Sequence, residues 1–348
     1  MQLSLAADDQ ISGIEPILTW RRRWEGSAKP VYAPVAPPPH PTFDLDVLVQ
    51  AALEEDSAGI GDVTTLSTIP ESTQAVASFL AKADGVLAGL AVVDKVFELV
   101  DPGLSVQWQQ KDGDDIVKGA IFGEVRGRAQ SILVAERIAL NFMQRMSGVA
   151  TATHQMVKAV QGTRAKILET RKTVPGLRVL DKWAVLIGGG VNHRIGLFDM
   201  VMIKNNHIAA AGSIEKAVRC TMEYTKTHGL HVPIEVETRT LQEVLEVKEL
   251  IETDRSLRID RVMLDNMTRL DSSLEGGVDV SMLQNAMQLL EGVDVETEAS
   301  GNVMLQTVGK IASTGVHFIS CGYLTHSVTA LDISLRIHED LPVMGSMS

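Results

Sequence analysis

The fold is decided by residues 232–265, which read VPIEVETRTLQEVLEVKELIETDRSLRIDRVMLD. This stretch begins with a short apolar run at Val232–Val236 and ends with another at Ile259–Leu264, and both are typical of buried strands. Between them, the capping box Thr240–Glu243 opens a helix that extends to about Ile251. A strand, a helix and a second strand in this order predict a βαβ unit with two parallel strands.

The same alternation continues on both sides of this unit. The predicted strands are Ala165–Glu169, Met200–Ile203, Val295–Glu298 and Val316–Ser320, and the predicted helices are Leu177–Leu186, Ile214–Thr225 after a Ser213 cap, Met282–Leu290 and Val303–Ala312. Repeated βαβ units indicate a parallel sheet, either as an open doubly wound sheet or as a closed barrel.

Polar residues follow six successive predicted strands at their carboxyl ends. They are Thr170-Arg171-Lys172, Lys204, Glu237, Asp265, Ser300-Gly301-Asn302 and Gly322. A barrel builds its active site from the loops after many strands, whereas an open sheet concentrates ligand residues at one switch point. The even distribution favours the (β/α) barrel and places a site at its carboxyl end.

The first half of the chain has a different, mixed pattern. It predicts helices at Leu45–Glu55 and Ala91–Val100, a strand at Ala75–Ala81, a hairpin turn at Lys111–Asp114 between Val106 and Ile116, and a long helix capped by Ser131 that extends to Gly148. We therefore expect an N-terminal α/β sandwich over residues 42–147 and a barrel over 148–327, with 328–348 packing back on the sandwich.

Residues 1–41 form a predicted extension or linker. The segment Trp20–Trp24 contains three arginines and is followed by six prolines between Pro30 and Pro41. A transit peptide and an extension without an addressing role both fit, because Asp8, Asp9 and other acidic residues are unusual in transit peptides.

Composition excludes several classes of function. The net charge of −12 argues against a general nucleic-acid or anionic-membrane binder, because both need a positive face. Cys220 and Cys321 are the only cysteines and have no CxxC spacing, which argues against a disulfide framework or structural zinc. No apolar run reaches the roughly 20 residues of a spanning helix, so we expect a soluble protein.

Cations dominate the predicted barrel mouth, although the protein is acidic. Arg171, Lys172, Arg194 and Lys204 would converge there with His193. Arginine matches a carboxylate or phosphate with two hydrogen bonds, and lysine acts as a point charge. This composition predicts a substrate with several anionic groups.

Two acids and two small-residue loops share the predicted mouth. Glu237 and Asp265 could hold magnesium or accept hydrogen bonds from sugar hydroxyls. Ser300-Gly301-Asn302 and Gly322, which is followed by a predicted helix at Thr325-His326-Ser327, offer backbone N–H groups to a phosphate.

Each feature also has a purely structural interpretation. Arg171 and Lys172 could be a solvated pair, Gly188–Gly190 an ordinary helix end, Glu237 with Arg239 a surface ion pair, Asp265-Asn266 a cap, and Cys321 a small buried residue. The functional interpretation therefore rests on their joint placement.

The chain resembles the quinolinate phosphoribosyltransferases over about residues 43–338. The matching motifs are Glu136-Arg137, Asn141–Gly148, Glu169–Thr173, Gly188–Arg194, Ile203–His207, Glu235–Glu237, Leu264–Asn266, Glu298–Asn302 and Leu324–Ser327. Residues 141–148 are most similar to the plant members, which suggests a plastid or a mitochondrion, with the cytoplasm as the alternative.

The resemblance implies an N-terminal α/β sandwich, a barrel of about seven strands and a homodimer in which Arg137 reaches the partner's site. It implies the conversion of quinolinate and phosphoribosyl pyrophosphate to nicotinate mononucleotide, pyrophosphate and CO2. The implied substrate-binding residues are Arg137, Thr170, Arg171, Lys172, His193, Arg194, Lys204, Glu237, Asp265, Ser300, Gly301, Asn302 and Gly322. Lys172, Glu237 and Asp265 are the implied catalytic residues, and the last two are the implied Mg²⁺ ligands.

Two residues depart from the family pattern. Asn205 stands where the family often has Asp, which removes a negative charge beside Lys204, and Tyr323 stands where a small residue is usual. These departures motivate one alternative, a binding or regulatory paralogue that has lost turnover. The other alternative is a phosphoribosyltransferase for a monocarboxylate such as nicotinate, which would need fewer cations around the ring.

Overall fold

The computed structural model describes residues 35–338, so most of the predicted extension and residues 339–348 lie outside the described part. The first half contains α1 (Leu45–Ser57), α2 (Val63–Thr68), β1 (Gln74–Ala81), β2 (Gly85–Val86), α3 (Leu90–Val100), β3 (Ser105–Trp108), β4 (Asp115–Ile116), β5 (Ile121–Arg128) and α4 (Ala129–Ala159). The second half contains β6 (Lys166–Leu168), α5 (Arg178–Ile187), β7 (Val201–Ile203), α6 (Asn205–Ala211), α7 (Ile214–Thr227), β8 (Ile234–Thr238), α8 (Leu241–Thr253), β9 (Arg261–Asp265), β10 (Arg269–Leu270), β11 (Val278–Asp279), α9 (Ser281–Leu289), β12 (Glu296–Ser300), α10 (Leu305–Ala312), β13 (Phe318–Ser320), α11 (Tyr323–His326) and β14 (Ile333–Ile337).

The first-half elements form an antiparallel sheet covered by helices. Its strand order is β14-β1-β5-β3, and β14 comes from the far end of the described chain, with Ala77 opposite Ile337. Phe79 and Phe122 on this sheet are fully buried in one core with Phe97 of α3 and Met143 of α4. The sheet and these helices are a two-layer α/β arrangement.

The predicted hairpin at Lys111–Asp114 is wrong. The turn forms, with Asp114 N donating to Lys111 O at 3.1 Å, but β3 pairs with β5 and β4 pairs with β2. Asp112 explains the difference, because its buried Oδ1 accepts from the backbone nitrogens of Gly89 and Leu90 at 2.9 and 3.1 Å. The turn therefore places Asp112 where it satisfies the backbone N–H groups at the start of α3, and it does not join two paired strands.

The long helix α4 differs from its prediction at both ends. It begins at Ala129, and Ser131 lies inside it, donating to Asp101 at 2.7 Å instead of capping the helix. It also continues through Gly148 to Ala159, because the missing side chain makes room for another segment: a β-carbon on Gly148 would overlap the carbonyl oxygen of Thr329. One helix thus spans the sequence on both sides of the predicted boundary at 147/148.

The second half confirms the prediction of an α/β fold with parallel strands. Six strands pair in parallel in the order β6-β13-β12-β9-β8-β7, with helices in the connections between them. Val191 adds a single parallel bridge to Leu168 on the free edge of β6. A second core lies against this sheet and includes Val236, Leu264 and Ile319.

Two predicted helix starts in this half are confirmed. Ser213 accepts from Lys216 N at the start of α7, and Thr240 and Glu243 form a reciprocal capping box at the start of α8. These local signals satisfy backbone N–H groups that a helix leaves unpaired at its start. Within residues 35–338, no helix is long and apolar enough to cross a membrane.

Candidate active site

The predicted polar residues lie at one edge of the parallel sheet, at the strands' carboxyl ends. The pairing register fixes this arrangement, because Asp265 lies opposite Ser300, which lies opposite Ser320, and Ser320 lies opposite Leu168. Glu237 of β8 lies opposite Met263, two residues before Asp265 on β9, and so also stands near the carboxyl end of its strand. In-register parallel strands end together, so the residues that follow them meet at the same edge.

Lys204 and Glu237 form the central ion pair of this edge. Lys204 Nζ lies 2.6 Å from Glu237 Oε2, and the backbone nitrogen of Asn205 donates to Glu237 Oε1 at 3.3 Å. Glu237 is buried while Lys204 remains partly accessible. The interpretation of Glu237 and Arg239 as a surface pair does not hold within the described residues, since Arg239 instead lies 3.9 Å from Asp265.

Asp265 adds a second carboxylate next to Glu237. Burial is the main cause of a raised pKa at Asp265, and the charge of Glu237 raises it further, while Lys204, Ser300 and Asn266 oppose the shift. Two hard oxygen donors that repel one another fit a bound divalent cation, because a cation would relieve this repulsion. Glu237 and Asp265 are therefore the pair at this edge suited to Mg²⁺.

The small-residue loop after β12 packs tightly on the loop after β9. Asn266 N donates to Ser300 O at 2.8 Å, and a β-carbon on Gly301 would overlap the Asn266 side chain. Gly301, Asn266 and Asn302 all have positive φ angles, which glycine and asparagine adopt most readily. The backbone of Ser300-Gly301-Asn302 is thus held close to Asp265.

Lys172 lies beside the last loop of the edge. A β-carbon on Gly322 would lie 2.9 Å from Lys172 Cδ and 3.1 Å from His326 Cδ2, so any larger residue would push these side chains away. The helix here starts at Tyr323, not at Thr325 as predicted, and contains four residues. The sequence analysis named His326 only as part of the helix start after Gly322 and gave its side chain no role.

Thr170, Arg171 and Arg194 complete the cationic side. Thr170 Oγ1 accepts from Lys172 N at 3.1 Å, and Arg194 Nη1 donates to Met200 O at 3.3 Å. Burial, and then the charge of Arg171, lowers the pKa of Arg194, which shows that the two guanidinium groups share one region. The buried Nε of Arg171 has no hydrogen-bond partner within residues 35–338.

His193 lies beneath this edge and not in the accessible mouth where it was predicted. Its Nε2 is 3.2 Å from Glu235 and 3.3 Å from Glu298, and its Nδ1 accepts from Arg194 N at 2.7 Å. Burial disfavours the imidazolium, but the two carboxylates outweigh it and raise the pKa of His193 to about 9. Because Nδ1 accepts a hydrogen bond, the ring carries its proton on Nε2, which faces the two carboxylates. A second proton would require Nδ1 to give up its contact with Arg194 N.

The cluster of His193, Glu235 and Glu298 has the residue types of a metal site. Its possible ligand atoms lie within 4.8 Å of one another. However, Arg261 lies 3.1 Å from Glu298, so a guanidinium and the Nε2 side of His193 already face the two carboxylates. A metal ion here would meet the positive charge of Arg261 and would have to displace the proton on His193 Nε2.

A second buried network was not predicted. Lys182 and Glu169 are fully buried and form an ion pair, and Lys182 Nζ also donates to His193 O at 3.1 Å. Glu169 accepts from Asn192 Nδ2 and from His193 N, both at 3.1 Å. This network holds the segment before Arg194 against the end of β6. Lys182 could have indicated it, because a lysine in the largely apolar predicted helix Leu177–Leu186 needs a buried partner.

The remaining predicted residues have different positions. Arg137 is exposed on α4, and no hydrogen bond or ion pair joins it to the edge residues within the described part of the chain. Tyr323 is 51% exposed and lies edge-on to His326 with ring centroids 6.3 Å apart. Its ring is thus directed outward, and Asn205 leaves the Lys204–Glu237 pair intact.

Comparison with known families and proteins gives consistent matches. Residues 62–147 match the family described as the quinolinate phosphoribosyl transferase N-terminal domain, and residues 149–336 match the corresponding C-terminal domain. The chain is 57% identical over 308 residues to the chloroplastic nicotinate-nucleotide pyrophosphorylase [carboxylating] of Arabidopsis thaliana, covering 88% of this chain and 86% of that protein. It is 54% identical over 307 residues to the mitochondrial quinolinate phosphoribosyltransferase [decarboxylating] 2 of Nicotiana glauca, with the same coverage.

Solved structures agree with the sequence matches. NadC from Streptococcus pyogenes superposes with a TM-score of 0.74 at 37% identity, covering 84% of this chain and 96% of that one. The nicotinate-nucleotide pyrophosphorylase from Francisella tularensis also gives 0.74, at 35% identity, covering 85% and 98%. The fold of this chain is therefore shared with these proteins over most of their length.

Proposed function

Because the chain belongs to the quinolinate phosphoribosyltransferase family, we propose that quinolinate and phosphoribosyl pyrophosphate meet at the edge where Lys204, Glu237 and Asp265 lie together. The chain is a decarboxylating phosphoribosyltransferase of NAD biosynthesis. It forms nicotinate mononucleotide, pyrophosphate and CO2. The observation that supports the location best is the ion pair of the partly accessible Lys204 with Glu237, beside a second carboxylate, Asp265, at the carboxyl ends of neighbouring parallel strands.

The cationic side of the edge suits quinolinate. Arg171, Arg194 and Lys204 can hold its two carboxylates, because guanidinium groups bind carboxylates through paired hydrogen bonds and the free Nε of Arg171 is a buried donor. We place His193 behind this set, where its contact with the Arg194 backbone orients the arginine. A monocarboxylate such as nicotinate would leave part of this buried positive charge unpaired.

The opposite side suits phosphoribosyl pyrophosphate. The loops of Ser300, Gly301, Asn302 and Gly322 can offer backbone N–H groups to the 5′-phosphate, and Thr170 accepts a hydrogen bond from Lys172 N within the Lys172 loop. Glu237 and Asp265 can bind the ribose hydroxyls and would hold Mg²⁺, which would supply positive charge to the leaving pyrophosphate.

The reaction needs no nucleophilic side chain. As pyrophosphate leaves, positive charge develops on the ribose near Glu237 and Asp265, while Lys172 stabilises negative charge on the departing group. The pyridine nitrogen attacks the anomeric carbon. The ring then carries a positive charge, which stabilises the electron pair left on the ring carbon when the adjacent carboxylate departs as CO2. That carbon takes up a proton from solvent to give the product. Holding two polyanions in line can contribute about 7–11 kcal/mol to the rate enhancement.

We extend the proposal to the assembly, the closure of the sheet and the location. Val191 lies beside β6 as a seventh strand position, which supports a barrel of about seven strands. Arg137, exposed on α4, is available to the site of a second copy in a homodimer. The plastid or mitochondrion is the proposed location, because the plant relatives bear chloroplastic and mitochondrial names.

Steady-state turnover tests this function. Purified protein receives phosphoribosyl pyrophosphate and Mg²⁺ with either quinolinate or nicotinate, and Lys172→Ala is the control. We expect nicotinate mononucleotide from quinolinate alone and its loss in the variant. Turnover of nicotinate at an equal rate would contradict dicarboxylate specificity, and quinolinate binding without product would favour the paralogue without turnover.

A further inference from the structure

We propose that Arg145 and Asp181 are positioning residues, which set the geometry between the Lys172 loop and the Gly322 loop and so control the rate of the proposed reaction. This inference rests on the proposed function of that edge. Neither residue belongs to the edge itself: Arg145 lies on α4, and Asp181 lies on α5. Their effect on the site passes through four hydrogen-bonded contacts.

The first contact is a paired ion bridge between two helices. Arg145 Nε donates to Asp181 Oδ1 at 2.8 Å, and Arg145 Nη2 donates to Asp181 Oδ2 at 2.9 Å. The Asp181 side chain is 1% exposed and that of Arg145 is 21% exposed. A bidentate pair in this environment is strong and directional, because the planar guanidinium fixes both carboxylate oxygens.

The ion bridge then reaches both loops of the site. Asp181 Oδ2 accepts from the backbone nitrogen of Val174 at 3.3 Å, two residues after Lys172. Arg145 Nη2 also donates to the backbone oxygen of Thr325 at 3.0 Å, three residues after Gly322. One residue pair therefore holds the loop after β6 and the short helix after β13.

Thr325 joins the two loops directly by a hydrogen bond. Its side-chain Oγ1 donates to the backbone oxygen of Lys172 at 2.9 Å, and the residue is fully buried. Arg145, Asp181, Val174, Lys172 and Thr325 thus form a closed set of contacts, which we call the polar ring. Within it, the distance between Lys172 and the Gly322 loop cannot change without breaking a buried hydrogen bond.

Breaking the polar ring should lower the reaction rate more than the affinity for either substrate. Each loop keeps its own ligand groups when the ring is broken, so each substrate alone can still bind. The relative placement of the two loops is lost, and a displacement of about 1 Å between reacting groups can lower a rate by about 100-fold.

The test compares single substitutions around the ring, with kcat expressed per bound site. Asp181→Asn and Arg145→Lys should each lower kcat by about 100-fold, while the Kd of each substrate, measured separately by calorimetry, changes by less than about threefold. Arg145→Lys retains the charge but cannot contact both Asp181 and Thr325. If the arginine only neutralises Asp181, this variant would keep the wild-type kcat.

Thr325 supplies a more conservative pair of variants. Thr325→Val is nearly isosteric and removes the donor to Lys172, so we expect kcat to fall by about tenfold or more. Thr325→Ser keeps the donor and should restore most of that loss. Equal rates for the serine and valine variants would overturn the polar ring.

Asp101→Asn is the matched control for a buried Asp–Arg pair away from the site. Asp101 accepts from Arg128 Nε at 2.8 Å, from Ser131 at 2.7 Å and from Gly103 N at 2.9 Å. Its substitution should lower the melting temperature without changing kcat per bound site. An equal loss of kcat in Asp101→Asn and Asp181→Asn would show that the polar ring only stabilises the fold, and would overturn the inference.

Turnover of the wild-type protein shows whether a failure belongs to this inference or to the proposed function. Normal turnover in Asp181→Asn and Arg145→Lys would overturn the positioning role and leave the proposed function standing. Absence of wild-type turnover with both substrates bound would overturn the proposed function and, with it, this inference.

Discussion

The charge of Glu237 acts on two other residues of the proposed site, Lys204 and Asp265. It pairs with Lys204 at 2.6 Å and raises the pKa of the neighbouring Asp265, after burial as the main cause. Glu237→Gln removes the charge and keeps the shape, so Lys204 loses its partner and the ribose loses a stabilising carboxylate. We expect kcat/KM for phosphoribosyl pyrophosphate to fall by about 100-fold. Glu243→Gln, in the nearby capping box of α8, is the control and should retain the wild-type value.

Asp94 gives a prediction of pH-dependent stability. Burial raises its pKa from 3.8 to about 7, opposed by the Trp108 hydrogen bond and reinforced by Asp112 and Glu98. The raised pKa means that its stabilising contribution is complete below pH 3.8 and is lost as the pH rises through about 7. Asp94→Asn should therefore increase the free energy of unfolding at about pH 8 by about 1 kcal/mol, and less at about pH 5.

Urea unfolding at both pH values measures this effect, with the exposed Asp56→Asn as the control. A gain from Asp94→Asn that is larger at the lower pH would contradict the assignment of the buried carboxyl.

At this scale, sequence reasoning found the residues that stand at strand ends and missed the buried groups that support them. Lys204, Glu237 and Asp265 follow apolar runs and could be located by periodicity. The ion pair of Glu169 and Lys182 joins a strand end to a helix, and only the tertiary arrangement shows that each charge has its partner. His193 was placed in the mouth because a histidine's burial cannot be deduced from its position in a loop.

Helix α4 depends on a glycine where another segment crosses it. A β-carbon on Gly148 would overlap Thr329 O and lie 3.1 Å from Ala330 Cα. Gly148→Ala improves helix propensity but forces the crossing segment outward, so we expect a loss of about 2 kcal/mol in the free energy of unfolding. Asn141→Ala, on the exposed side of the same helix, is the matched control and should be neutral. Stabilisation by Gly148→Ala would show that the crossing segment does not pack as described.

The starts of α7 and α8 were predicted more reliably than the strand pairing, because their sequence signals are local. The start of α7 at Ser213 and the capping box of α8 were predicted correctly, because a cap is specified by residues within one turn. The Lys111–Asp114 hairpin was wrong, because a strand's partner depends on distant residues and here Asp112 binds the start of α3. The full length of α4 was missed because Gly148 was interpreted as a helix end.

At the scale of the whole molecule, the dimer proposal makes a quantitative prediction. If Arg137 acts in the partner's site, Arg137→Ala and Lys172→Ala homodimers are both inactive. A mixed dimer then has one site with both substitutions and one with neither. Random exchange of equal amounts should restore about a quarter of wild-type activity. No recovery after verified subunit exchange would show that Arg137 acts within its own chain. An active Arg137→Ala homodimer would show that Arg137 lies outside the reaction.

The most direct test of the central claim follows the carboxylate that the reaction removes. Purified protein is given phosphoribosyl pyrophosphate, Mg²⁺ and quinolinate labelled in the carboxylate adjacent to the ring nitrogen. We expect labelled CO2, nicotinate mononucleotide and pyrophosphate in equal amounts, dependent on phosphoribosyl pyrophosphate and abolished in Lys172→Ala. Tight quinolinate binding without labelled CO2, or release of the label without pyrophosphate, would contradict the central claim.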